Sequence, residues 1–171
     1  TFLGTREKKE YIEQELPSIR ESLRAARKNR PFIFAMGIFL FTWTAMSIIE
    51  NQLFYFLEYR MGLEDEAPIV AGTVFISAIL VLPFWVWISK KTDKRKAYIV
   101  GMLFLSIVMI SLIFIPPTLG LWIIFALAAL AGVGVSAVHV LPWAMIPDAV
   151  EVDQLETGNR HEGVFYALVT L

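Results

Sequence analysis

From Pro31 onward the chain alternates long apolar runs with short polar breaks. Four runs are long enough to cross a hydrocarbon core, which takes about 20 apolar residues in a helix. The first opens with "PFIFAMGIFLFTWTAMSII" and the pattern carries it over about 31–59. The second, "APIVAGTVFISAILVLPFWVWI", covers about 67–89; the third, "AYIVGMLFLSIVMISLIFI", covers 97–115; the fourth covers 119–146. A fifth begins at Gly163 and is cut off at Leu171. The runs lack the period-two alternation of a membrane barrel. Backbone polar groups in hydrocarbon must be satisfied within their own segment. The pattern therefore predicts an all-α membrane protein.

Composition strengthens that reading. Of 171 residues, 57% are hydrophobic, against roughly 45–50% in a soluble domain on a broader count, and the mean hydropathy is +0.62. The net charge of −1 supplies no overall field for nucleic acid, which is not expected as a partner. Cysteine is absent, which excludes disulfides and thiolate metal sites. The signals of a membrane enzyme are missing too: no HExxH, no GxSxG, no phosphate-cradling loop, and only two histidines. No enzyme activity and no cofactor beyond a coupling ion are expected. With no initiating Met and an end inside an apolar run, the chain reads as a piece of a longer protein.

Charge then orients the spans. Eight Lys and Arg lie in residues 1–30 and five more in "KKTDKRK" at 90–96. The break after the first run has only Arg60 against four acids, and "PPTLG" after the third has no charge. Basic and non-basic breaks alternate, as the positive-inside rule requires. Residues 5–30, 90–96 and 147–162 are expected to be cytoplasmic, in an inner or plasma membrane. Within 5–30, Ser18 and Glu21 form a capping box. The helix that follows would put Ile19, Leu23 and Ala26 on one face, with Arg20, Arg24, Arg27 and Lys28 around it. Such a helix lies on the inner leaflet or is a solvated linker; the sequence supports both.

Two breaks carry more than topology. "KKTDKRK" embeds Asp93 among five cations, where cations alone would set orientation. It resembles a degenerate form of the loop motif that joins consecutive helices in the major facilitator superfamily. "PWAMIPDAVEVDQLETGNRHEGVFYAL" is more specific. Its Pro147, Asp148, Val150, Glu151, Thr157, Gly158, Arg160, Glu162, Gly163 and Tyr166 match a spaced pattern of the glycoside–pentoside–hexuronide:cation symporters. These are melibiose-permease-like members of that superfamily, and the resemblance lies in their C-terminal half. It extends to "NRPF" at 29–32 and "FLGTRE" at the start.

The resemblance implies a fold and a function. Residues 1–30 would be the end of a sixth helix and a central cytoplasmic linker. Residues 31–171 would be the C-terminal transmembrane bundle, with helices seven to ten complete and another begun. The implied activity is symport of a small solute such as a sugar, driven by Na⁺ or H⁺, through alternating access. The implied partners are the solute, the coupling cation, membrane lipid and the transporter's own N-terminal half, where the cation-site carboxylates mainly belong. A lysolipid-carrying branch of the superfamily, or a non-transporting scaffold, is the alternative reading.

Such a transporter must close at its cytoplasmic side and reopen, and ion pairs that break on rocking suit that task. Asp148, Glu151, Asp153, Arg160 and Glu162 stand at that end with Asp93, Lys94 and Arg95, and are the candidate gate. The alternative is that these charges cap helix ends in water. Along the substrate pathway, Glu50, Asn51 and Gln52 stand together in the first run, because ionisable groups at membrane depth mark functional sites. At about 30 Å from Pro31 along a helix, Glu50 can equally have reached the outer interface. His139 and Trp143 are candidates in the fourth run, with packing as the alternative for His139. Sugar-transporting members tend to have an aromatic near His139, so the histidine weighs against a sugar. Ala128, Gly132 and Ser136 form a small-residue face for close helix packing. Pro142 and Pro147 are expected to bend or end the fourth helix. Thr42, Thr44, Thr73 and Ser77 read as interhelical or back-bonded hydroxyls.

Overall fold

The computed structural model describes residues 26–118 and 120–157, with Gly163, Tyr166, Ala167 and Val169 beyond them. The capping box at Ser18 and Glu21, the "FLGTRE" stretch, Arg160 and Glu162 lie outside the described residues. Four long helices make up the bundle: α1 (Arg30–Tyr55), α2 (Ala67–Lys91), α3 (Lys94–Ile113) and α4 (Leu121–Thr157). Each is long and apolar enough to cross a membrane.

Local chemistry sets most of the helix ends. Asn29 caps α1, its Oδ1 accepting from the Phe32 N–H at 2.9 Å, with Pro31 in the first turn where its missing N–H costs nothing. The last turns of this span widen to a π-helical segment, Phe56–Met61. Gly62 stops it at φ 66°, a left-handed conformation that favours glycine, and the Leu63 N–H returns to the Leu57 carbonyl at 2.9 Å. Asp93 caps α3, accepting from the Arg95 N–H at 3.1 Å. The third span consequently starts at Lys94, inside the basic break and ahead of the expected 97. Pro116 and Pro117 follow its end.

The bundle is built around α4. Half of its most apolar stretch is buried, against 17–28% in the other three spans. Small residues permit the approach. A Cβ on Gly132 would run into the Val74 carbonyl and Ser77 of α2, one on Gly134 would lie 2.7 Å from Leu105 of α3, and Gly101 of α3 abuts Ala137. Two α2 side chains bond the α4 backbone: Ser77 Oγ donates to the Ala129 carbonyl at 2.6 Å and Trp85 Nε1 to the Val133 carbonyl at 2.8 Å. Outward positions remain apolar, with Phe41, Leu80, Phe114 and Trp122 all strongly exposed. A membrane helix shows that surface because lipid, not water, is its solvent.

The fourth helix departs from expectation. It does not end at about Ile146 but runs through Pro142 and Pro147 to Thr157, so Asp148 and Glu151 stand on helix and not in a loop. Asp153 shares that helix, though its side chain lies outside the described residues. Proline removes its own N–H and crowds the carbonyl four residues back, but later residues can resume the ladder. The two prolines leave the Val138 and Trp143 carbonyls without their helical donors, while side chains from elsewhere tie the extension down at other carbonyls: Lys94 Nζ donates to Ala144 at 2.8 Å and Asn29 Nδ2 to Ala149 at 2.9 Å.

Candidate functional site: the seam between α1 and α4

The basic ends of the helices converge on the α4 extension. Lys94, at the start of α3, bonds the Asp148 carboxylate at 2.5 Å while its ammonium also donates to Ala144. Lys94 is 35% exposed and Asp148 56%, so water screens the pair and its net value is about 0–1 kcal/mol. Asn29 is buried and serves both α1 and α4 through its two amide atoms. Beneath it, Ala26, Phe32, Phe39, Ile146, Ala149, Val150 and Val169 form one apolar cluster. The 90–96 turn and the α4 extension thus lie at one end of the bundle. Of the predicted gate residues, Lys94 and Asp148 meet directly, Asp93 caps α3, and Arg95 and Glu151 are exposed.

Deeper in, four rings line the seam. Phe39 and Trp43 stand four residues apart on α1, and His139 and Trp143 four apart on α4, so each pair shares a helix face. Phe39 packs edge-on against Trp143 with centroids 4.9 Å apart, and Trp43 edge-on against His139 at 5.3 Å. His139 Nδ1 lies 3.2 Å from the Val135 carbonyl of its own helix. Thr42 is buried behind the rings, its hydroxyl donating to the Ile38 carbonyl and meeting the Tyr98 hydroxyl of α3 at 2.6 Å. It is back-bonded and interhelical at once. Phe39, Trp43 and Tyr98 escaped the sequence reading; the matched four-residue spacing of rings on two runs was the available signal.

Towards the acidic end the seam opens into a cavity of about 140 Å³. Met46, Leu53, Val74, Phe75, Ile124 and Ala131 are among its walls, and Glu50 is the one ionisable side chain there. Glu50, Asn51 and Gln52 are not gathered into one site. All three are exposed, the Asn51 amide donates to its own Ser47 carbonyl at 2.7 Å, and Gln52 faces a separate cleft beside Arg60. Arg60 in turn donates to the Ile113 carbonyl at 2.7 Å, closing the ends of the first and third spans together.

Among known proteins, the chain is 35% identical to an uncharacterized symporter of Synechocystis over 94% of its own length and 29% of that protein. It is 30% identical to a sodium-dependent lysophosphatidylcholine symporter of Danio rerio, over 97% of this chain and 32% of the relative. A sphingosine-1-phosphate transporter of Xenopus tropicalis is 25% identical over 97% of the chain and 33% of its own length. The chain thus spans about a third of the length of the relatives it matches. A family model described as MFS/sugar transport protein matches residues 1–171, the whole of the chain, which therefore belongs to that family of the major facilitator superfamily.

Proposed function

We propose that this chain is the C-terminal bundle of a cation-coupled symporter whose substrate is an amphiphile with a hydrocarbon tail. The observation that carries the reading is the cavity at the acidic end of the seam. Its lining side chains are apolar apart from Glu50, and apolar cavities of about 150 Å³ stay dry and take hydrocarbon. A tail gains about 0.8 kcal/mol per buried methylene there. A sugar would find too few partners for its hydroxyls, each of which costs about 1–3 kcal/mol if left unbonded. Relatives named for lysophosphatidylcholine and sphingosine-1-phosphate transport support the same class. The "sodium-dependent" name of the lysophosphatidylcholine symporter supports Na⁺ as the coupling ion. A polar solute such as a sugar is the second reading, favoured by the indoles of Trp43 and Trp143 in one aromatic seam.

The basic end faces the cytoplasm in this reading, and the candidate gate lies there. Lys94 and Asp148 both belong to one bundle, so their bridge does not itself span two halves. It holds the α4 extension to α3, so that exposed Glu151 moves with the bundle as it rocks. Neutralising either partner, as in Asp148→Asn, should slow transport by up to about fivefold, the worth of one exposed pair. The exchanged pair Lys94→Asp/Asp148→Lys should restore it.

The experiment is uptake by the full-length protein in proteoliposomes. Lysophosphatidylcholine and a sugar are offered under imposed Na⁺ or H⁺ gradients. Lysophosphatidylcholine uptake driven by inward Na⁺ is expected, and Ala131→Leu, which fills the cavity, should slow long-chain more than short-chain substrates. Sugar uptake without lysolipid uptake would establish the second reading, and neither would return the scaffold.

A further inference from the structure

A groove of about 410 Å³ at the basic end shares the Lys94–Asp148 bridge with the candidate gate but is given no ligand in that reading. It lies where the first turns of α1 and α3 meet the α4 extension. Arg30, Lys94 and Arg95 stand on its lip, and Phe34, Ile38 and Met145 form its apolar wall. We propose that this groove binds the anionic headgroup of an inner-leaflet phospholipid, with the upper part of an acyl chain along Phe34 and Ile38.

Charge and position both favour that occupant. Two acids also line the groove. Asp148 is taken by Lys94, and Asp93 is committed to the cap of α3. Among the described residues the Lys94–Asp148 bridge is the ion pair found, which leaves the exposed guanidiniums of Arg30 and Arg95 without a carboxylate. Both are planar forks suited to a phosphate. Arg27, Lys28, Lys90, Lys91 and Lys96, close in sequence to these residues and all exposed, add to the positive charge of the same end. A free anion would have no use for the wall. Phe34, 65% exposed, continues the lipid-facing surface of α1 directly under the cationic lip. Cations above hydrocarbon at a membrane boundary match a charged headgroup above its chain.

The test uses the full-length protein in nanodiscs of phosphatidylcholine doped with phosphatidylglycerol, with lipid retained after detergent extraction counted by mass spectrometry. Arg30→Gln and Arg95→Gln should each lower phosphatidylglycerol retention about fivefold, from roughly 1 kcal/mol per basic side chain near a membrane surface. Lys90→Gln, at the same end of the bundle but outside the groove's lining, should change it little. Phe34→Asn, which alters no charge, should also lower it. All four positions are exposed, and unchanged thermal unfolding of each variant confirms that the bundle is intact. Equal losses for Lys90→Gln and Arg95→Gln would overturn the proposal in favour of a diffuse field. Displacement of the lipid by inorganic phosphate would overturn it in favour of a free anion.

Discussion

Gly132 and Gly72 are both helix-interior glycines, yet their surroundings differ completely. A methyl at Gly132 meets the backbone carbonyl of Val74, which cannot swing aside, whereas a methyl at Gly72 meets nothing within 4 Å. Gly132→Ala should therefore destabilise the protein by about 1–3 kcal/mol through overpacking. Gly72→Ala should be neutral or stabilising by up to about 1 kcal/mol, from helix propensity alone. Thermal unfolding of the two variants in one detergent decides it, and equal shifts would refute the packing argument. Asn29 allows a sharper dissection, because its two amide atoms do separate work. Asn29→Asp keeps the acceptor that caps α1 but loses the donor to the Ala149 carbonyl, placing charge against an oxygen. It should be destabilised by at least the 1–3 kcal/mol of an unsatisfied buried acceptor. If instead Asn29→Asp unfolds like the parent while Asn29→Ala does not, capping alone is what Asn29 contributes.

At the level of helices, the sequence revealed what depends on runs and hid what depends on neighbours. The spans were legible because twenty apolar residues have few other uses, whereas the ends at Asn29, Gly62 and Asp93 were placed only to within a few residues, the third span being expected from 97 and not from Lys94. The continuation of α4 to Thr157 was not legible. Pro142 and Pro147 mark where a ladder loses a rung, but the bonds from Lys94 to Ala144 and from Asn29 to Ala149 that hold the extension come from other parts of the chain. The small-residue face showed that α4 packs closely and not which helix each glycine meets. The apolar cavity was equally hidden, since its walls come from every span and no side chain in it is unusual. Pro147 gives a direct test of the interrupted ladder. Pro147→Ala returns an N–H able to bond the Trp143 carbonyl and should stabilise the helix by about 1–3 kcal/mol. Amide exchange over 144–152 should slow accordingly. Unchanged exchange would mean that the extension is already held entirely by its contacts with α3 and the chain before α1.

Over the whole molecule, one arrangement has to satisfy charge and packing together. The Lys94–Asp148 bridge and the Asn29–Ala149 bond bring the start of α1, the α2–α3 turn and the α4 extension to one end. Arg60 and the Ile113 carbonyl meet at the other, next to Glu64 and Asp65 in sequence. Among the described residues Lys and Arg gather at the first end and Arg60 alone stands at the second, so the positive-inside rule predicts that the basic end faces the cytoplasm. This chain carries no cysteine, so in a full-length protein with any cysteine outside it replaced, the arrangement can be read one introduced thiol at a time. Lys91→Cys and Glu151→Cys, both exposed positions, should react with a membrane-impermeant maleimide only after the cytoplasmic side is opened. Asp65→Cys and Thr118→Cys, also exposed, should react in intact cells. The pairing matters more than any single label. Glu151 follows two prolines that could have turned the chain, and an α4 that passes Lys94 at Asp148 and runs on keeps it on the same side as Lys91. A Glu151 thiol labelled together with Asp65 would separate the two basic segments across the bilayer and leave the Lys94–Asp148 bridge with no membrane in which it could form.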